Sequence, residues 1–166
     1  GVLSTSASAD LAQGQRAFLV PLLMNGNAAG PIDVIVRVSA GPGQVPLTDA
    51  IRIEAGEGLA DAVMFRRGPA TGNRVEPLGE PVFSRTQRAR FEVPLAGGSK
   101  LTAARLLDRN GSPIDLPITV SERADQGGQR WGVAEAILAP LGPGDYLLEL
   151  SDGAGKVRLT AFRVTR

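Results

Sequence analysis

Several groups of side chains in this chain have the types and spacing to do chemistry. Asp108-Arg-Asn-Gly-Ser-Pro-Ile-Asp115 sets two carboxylates and an amide around a turn, the oxygen-rich composition that calcium favours. Its spacing matches no EF-hand loop, so a hairpin turn with solvated acids is the simpler reading. Asp152-Gly-Ala-Gly-Lys156 has the glycines and lysine of a phosphate cradle but lacks the full spacing and a following helix, so it reads as a plain turn. The acid pairs Glu54 with Glu57 and Glu76 with Glu80 offer carboxylates for glycoside hydrolysis. One Trp and one Tyr are a poor supply of sugar-stacking surface for that chemistry. Arg66, Arg67, Arg85, Arg88 and Arg90 cluster in sequence, and Arg66, Arg67 and Arg85 are the residues taken as a basic patch for an acidic protein partner. A solvated sheet face with glutamate neighbours competes with that reading.

What is missing excludes more than what is present suggests. The chain has no Cys and no His. A disulfide framework, a thiolate nucleophile and a thiolate zinc site are therefore impossible, as is a Ser-His-Asp triad. The usual general base at neutral pH is absent too. No catalytic residue, metal ligand or cofactor motif stands out, and the expectation is a protein that is not an enzyme and carries no cofactor. Net charge is +1, from 18 basic and 17 acidic residues, which gives no broad attraction to nucleic acid or anionic lipid. The longest apolar run, Ala17 to Met24, contains Pro21 and is far too short to span a bilayer, so no membrane insertion is expected. No signal peptide is legible, and Gly1 stands where an initiating Met would, which points to a piece of a longer product.

The elements that would position such groups read as strands. Leu138-Ala-Pro-Leu-Gly-Pro-Gly-Asp-Tyr-Leu-Leu-Glu-Leu150 is a tight turn that delivers the lone Tyr146 into a strand with Tyr146, Leu148 and Leu150 inward and Leu147 and Glu149 outward. That is how the sixth strand of an immunoglobulin-like sandwich starts, with the Tyr hydroxyl bonded back to upstream backbone. Ala89, Phe91, Val93 and Leu95 alternate with Arg90, Glu92 and Pro94, and Leu101 to Asp108 leads through Asn110-Gly111 into Ile114 to Val120, where Ile114, Leu116, Ile118 and Val120 share a face and Pro117 marks an edge. Arg130 to Ala139 reads as a strand, with one turn of helix over Val133 to Leu138 as the alternative. Val157 to Thr165 closes the domain, and a short strand lies near Pro81 to Ser84. Trp131 is assigned to the core of the sandwich, with Phe65, Phe83, Phe91 and Phe162.

The first half is less regular. Residues 1–15 read as a linker or frayed arm, with a helix over Leu11 to Phe18 as the rival. Residues 16–77 read as a β-rich segment, either a second small sandwich or an extension of the first. It has strands over Arg16 to Met24, Ile32 to Val38, Ala50 to Glu54 and Ala62 to Arg66, and a long exposed connection over Gly68 to Pro77. The expected fold is all-β, with an immunoglobulin-like β-sandwich over residues 78–166 and additional strands and long loops in the N-terminal half.

Particular residues carry a resemblance. Phe65-Arg-Arg-Gly-Pro-Ala-Thr-Gly-Asn73, Phe83-Ser-Arg-Thr86, Arg88-Ala-Arg-Phe-Glu92, Ala104-Arg-Leu-Leu-Asp108, Leu138-Ala-Pro-Leu141 and Gly144-Asp-Tyr146 together resemble the C-terminal, non-catalytic region of bacterial von Willebrand factor A-related domain proteins, over roughly residues 60 to 151. The resemblance implies a sandwich module behind an upstream A-type domain in an exported protein, hence an extracytoplasmic or secreted setting. The A-domain's metal motif, Asp-x-Ser-x-Ser, is absent; Ser4-Thr-Ser-Ala-Ser8 lacks its leading Asp, so metal-dependent adhesion does not carry over. The expected function is a non-catalytic interaction or spacer module of a larger exported bacterial protein. The alternative is a carbohydrate-binding accessory module of a secreted protein.

Overall fold

The computed structural model describes residues 4–15, 17–22, 30–53 and 59–166, and its regular structure is nearly all β. The chain divides into two compact units. The smaller is built on a two-stranded antiparallel hairpin, β1 (Ile32–Val38) and β2 (Leu47–Ile53). Its register sets Ile32, Val34 and Val38 opposite Ile53, Ile51 and Leu47, which gives one apolar face as the period-two pattern requires. No strand forms over described residues 17–22, and no helix forms over the described part of 11–18. Pro21 supplies no N–H to a ladder, and Gly14 adopts a positive φ of 80° in a turn. The Asn25-Gly26 turn and the Glu54–Glu57 pair lie outside the described residues.

The larger unit is a two-sheet sandwich. Its strands are β3 (Val63–Arg67), β4 (Glu76–Pro77), β5 (Val82–Ser84), β6 (Arg88–Leu95), β7 (Leu101–Asp108), β8 (Pro113–Ile114), β9 (Ile118–Ala124), β10 (Arg130–Ile137), β11 (Gly144–Asp152) and β12 (Val157–Thr165). The first sheet runs β4-β3-β6-β10-β9 and the second β5-β12-β11-β7-β8. All pairings are antiparallel except β5 with β12, which is parallel. With β6, β7, β10, β11 and β12 read as strands B, C, E, F and G, this is the immunoglobulin-like strand order: B pairs E in one sheet, and C, F and G form the other. The opening strand divides its residues between the sheets, β3 against β6 and β5 against β12.

Several details differ from the sequence expectation. The sandwich takes in β3 and β4, upstream of the start expected at residue 78, because Val63–Arg67 pairs along β6. Residues 68–77 form a connection whose side chains are mostly exposed, as expected, but it is ordered by a 3-10 turn at Pro69–Thr71 and ends in β4. The buried Thr71 hydroxyl lies 3.0 Å from Gly68 O and 2.7 Å from Arg74 O and ties the loop to itself. The single strand expected over Ile114–Val120 is two strands in different sheets, with the crossing at Asp115-Leu116-Pro117. Pro117 cannot donate to a ladder and restricts the residue before it, so the chain changes sheet there. Ile114, Leu116, Ile118 and Val120 still all pack on the core. Val133 to Ile137 lie within β10 rather than forming a helix, because Ala134, Ala136 and, just past the strand, Leu138 bury as alternate residues.

Aromatic rings lock the two sheets together. Phe91 from the first sheet meets Phe83 and Phe162 from the second at centroid distances of 5.8 and 5.4 Å, and Phe83 and Phe162 pack edge to face at 5.6 Å. Tyr146 stacks on Phe162 at 5.8 Å and its hydroxyl donates to Gly142 O at 2.8 Å. Leu138 and Leu141 bury beneath the same corner, so the turn expected from Leu138 to Tyr146 is a pinned tyrosine corner.

Candidate interaction surface

The acids with turn spacing are structural. Asp108, Asp125 and Asp152 each begin the same five-residue hairpin turn, D-x-x-G-x. In each, one carboxylate oxygen accepts two backbone N–H groups of its own turn: Asn110 and Ser112 at 2.8 Å, Gly127 and Gln129 at 2.9 and 3.0 Å, and Ala154 and Lys156 at 2.9 and 2.8 Å. The fourth residue is Gly111, Gly128 or Gly155, with φ of 83°, 80° and 82°, a conformation that L side chains resist. Among the described residues no three Asp or Glu side chains gather as a metal set. The repeated spacing was visible in the sequence as one motif for three hairpins, and reading two of its copies as separate candidate sites missed the shared turn.

The arginines are engaged one by one. Arg66 and Arg67 are consecutive on β3, so alternation sends them to opposite faces. Arg66 pairs with Glu76 at 3.6 Å, while its buried Nε has no partner. Arg67 Nε donates to Asn73 O at 2.9 Å and to Asn73 Oδ1 at 3.0 Å, and Arg85 donates to Ala139 O at 2.8 Å. The cluster expected from sequence is therefore split between the two faces of one strand and a separate turn.

The sandwich has two outer faces of opposite chemistry. On the first sheet, Glu92 projects outward from β6 yet is only 3% exposed. Arg90 Nε donates to it at 2.6 Å, and Arg123 from β9 donates Nε at 3.1 Å and also pairs through Nη2. Arg90 reaches Glu135 on β10 at 2.7 Å. Burial alone would push the Glu92 carboxyl up; the hydrogen bonds from Arg123 and Arg90 outweigh it and hold the group below the usual range. Trp131 lies on this outer face, half-buried, and not in the core as expected. Arg123 sits 5.3 Å over its ring and its Nε1 donates to Asp125 Oδ2 at 3.1 Å, which holds Asp125 below its ordinary pKa. The reason is register: β10 turns Gly132, Ala134 and Ala136 inward, and Trp131 must face out. Gly132 is required because a Cβ there would stand 2.7 Å from Leu101 Cβ. Phe65, paired with Arg90, is buried on this outer side, apart from the Phe83–Phe91–Phe162 cluster.

On the second sheet the outer rows are largely apolar. Leu107, Leu147 and Ala161 stand side by side across β7, β11 and β12, followed along β12 by Leu159 and Val157, which are 52% and 54% exposed. Directly opposed pairs flank them, Arg163 with Asp145 at 2.6 and 3.1 Å and Arg105 with Glu149 at 2.6 Å. The Arg163 hydrogen bond holds Asp145 below its ordinary pKa. A hollow of about 360 Å³ opens here, lined mainly by Pro81, Val82, Leu147, Ala161 and Phe162, with Arg109, Asp145 and Arg163 among its walls.

The lateral edges of the sheets differ in the same way. β9 ends the first sheet with Thr119, Ser121, Glu122 and Arg123, polar residues that discourage further pairing. In the second sheet β5 covers only Arg163 to Thr165 of β12. Arg163 N donates to Pro81 O at 2.8 Å, so the odd-numbered residues of β12 direct their N–H and C=O groups away from β11. Among the described residues nothing pairs with those groups at Val157, Leu159 and Ala161.

Neither large aromatic offers a free platform for a sugar ring, since Trp131 is covered by Arg123 and Tyr146 stacks on Phe162. No described helix is long and apolar enough to cross a membrane. No protein-family model, curated protein or solved structure matches the chain.

Proposed function

We propose that this chain is a non-catalytic interaction module of a larger exported bacterial protein, and that it binds a protein partner by adding an extended segment to the free edge of β12. The observation that carries the reading is the run of backbone groups at Val157, Leu159 and Ala161 that no described residue pairs, bordered by their own outward apolar side chains and by the hollow at Leu147. Strand addition of this kind takes affinity from main-chain hydrogen bonds and selectivity from alternate side chains. The exported bacterial setting, with an A-type domain upstream, rests on the resemblance of residues 60–151. Arg66, Arg67 and Arg85 have no part in this surface.

The test presents wild-type chain and the Leu159→Pro and Arg67→Glu variants to proteins secreted by bacteria and identifies what is retained. Retention of a partner that Leu159→Pro abolishes and Arg67→Glu leaves intact is the expected result. Retention that follows Arg67 instead moves the surface to the other sheet. Turnover of a secreted-hydrolase substrate that vanishes with a single carboxylate variant overturns the non-catalytic reading.

A further inference from the structure

The geometry points to a second copy of this chain as the strand that completes the β12 edge, in an antiparallel two-fold pairing centred on Leu159. The inference rests on the reading of that edge as a strand-addition site and names its occupant. Three features of β12 carry it.

The first is self-complementarity. An antiparallel pairing centred on Leu159 sets Leu159 against itself, Val157 against Ala161 and Arg158 against Thr160. The outer row of each copy, Val157-Leu159-Ala161, then meets the same apolar row of the other. Arg158 meets an uncharged residue, and its own charge is already matched by Asp61 within its copy. No like charges stand opposed.

The second is the free hydrogen-bonding groups. The odd-numbered residues that face the open edge are the ones that would form the closely spaced pairs of such a ladder, giving about six backbone bonds in all. The free stretch has no proline and a single charge, Arg158, which is paired with Asp61, whereas β9 carries Glu122 and Arg123 and follows Pro117.

The third is length. In each copy β5 takes up β12 from Arg163 onward. In this register Arg163 would face the partner's Gly155, which lies in the partner's Asp152–Lys156 turn. Pairing therefore stops on both sides where the chain already turns away, and the free stretch of each copy is filled by that of the other. The joined sheets form one continuous sheet across the two-fold axis, and the edge is closed.

The chain has no Cys, so single cysteines report the register without background. Opposed Cα atoms in a closely spaced antiparallel pair are about 5.5 Å apart, within reach of a disulfide. The full chain carrying Leu159→Cys is expected to cross-link to itself under mild oxidation. Val157→Cys and Ala161→Cys are expected to cross-link poorly alone and readily when mixed. Sedimentation of the wild-type chain is expected to show a concentration-dependent dimer that Leu159→Pro weakens about 30-fold, through one lost backbone bond per copy. That Pro removes an N–H the fold does not use, and unchanged circular dichroism checks that the fold survives. A chain that sediments as a monomer up to millimolar concentration, or equal self-linking at 157, 159 and 161, overturns the pairing. If self-association fails while capture of another protein remains sensitive to Leu159→Pro, the occupant is wrong and the strand-addition reading stands. If both fail, that reading falls as well.

Discussion

The outer faces of the two sheets handle the same structural problem in opposite ways. The first covers its β-branched and aromatic residues, Val133 and Phe65 among them, with its own long side chains: Arg90, Glu92, Arg123, Glu135 and Trp131 are held by hydrogen bonds and ion pairs. The second keeps its ion pairs at the margins and leaves Leu159, Val157 and the Leu147–Ala161 hollow open, next to backbone that no described residue pairs. A face covered by its own charges has little left to offer a partner. An apolar row beside a free ladder is where burial and hydrogen bonding remain to be gained. The difference separates a face that stabilises the fold from one suited to assembly.

The largest effect that would break this comparison is at Glu92. Glu92→Gln removes a buried carboxylate from between Arg90 and Arg123 and is expected to cost about 2–3 kcal/mol in urea unfolding, less than a fully buried pair because both arginines keep contact with water. The matching change on the other sheet, Glu149→Gln, should move the unfolding midpoint little, since Arg105 is well exposed. Equal losses at the two positions would erase the distinction.

The same residue gives a pH signature. Its folded-state pKa lies below the unfolded value of about 4.3, so its contribution is complete above that pH and disappears as pH falls through the folded value. Wild type and Glu92→Gln should therefore converge in stability on acidification and differ fully at neutral pH. A constant gap across the acid range would mean that the carboxylate charge is not what matters.

Gly132→Ala is next, at about 1–2 kcal/mol, because its Cβ would press on Leu101 and disturb the register that keeps Trp131 on the charged face. A blue-shifted Trp emission together with the loss would sharpen the point; no change in stability would show that Leu101 moves aside. Tyr146→Phe should cost about 1 kcal/mol by deleting the hydroxyl bond to Gly142, and thermal melting is sufficient to see it. Smallest in stability is Ala161→Arg on the open face, expected within about 0.5 kcal/mol of wild type yet abolishing association. Destabilisation comparable to Gly132→Ala would mean that the open face already holds the fold together.

Much of the architecture was legible because local rules suffice for it. Tyr146, Leu148 and Leu150 face inward, β12 spans the residues its alternation marked, and the corner hydroxyl meets Gly142. The D-x-x-G-x turns follow from a short carboxylate and a glycine at the position that needs positive φ. The interaction surface was not legible. Arg66 and Arg67 drew attention as neighbours in sequence, but strand alternation sends neighbours to opposite sides, and the residues now implicated, Val157, Leu159 and Ala161, look like ordinary strand residues.

The amino-acid sequence by itself determined period, turn positions and the corner, because each depends on residues within a few positions of one another. Only the tertiary structure decided that the stretch 114–120 changes sheet, that Glu92 is buried between two arginines from different strands, that Trp131 faces out, and that β5 pairs with β12 only from Arg163 onward. Those outcomes depend on which strands become neighbours and in what register. Strand pairing across the chain settles that, and no local pattern of residues encodes it.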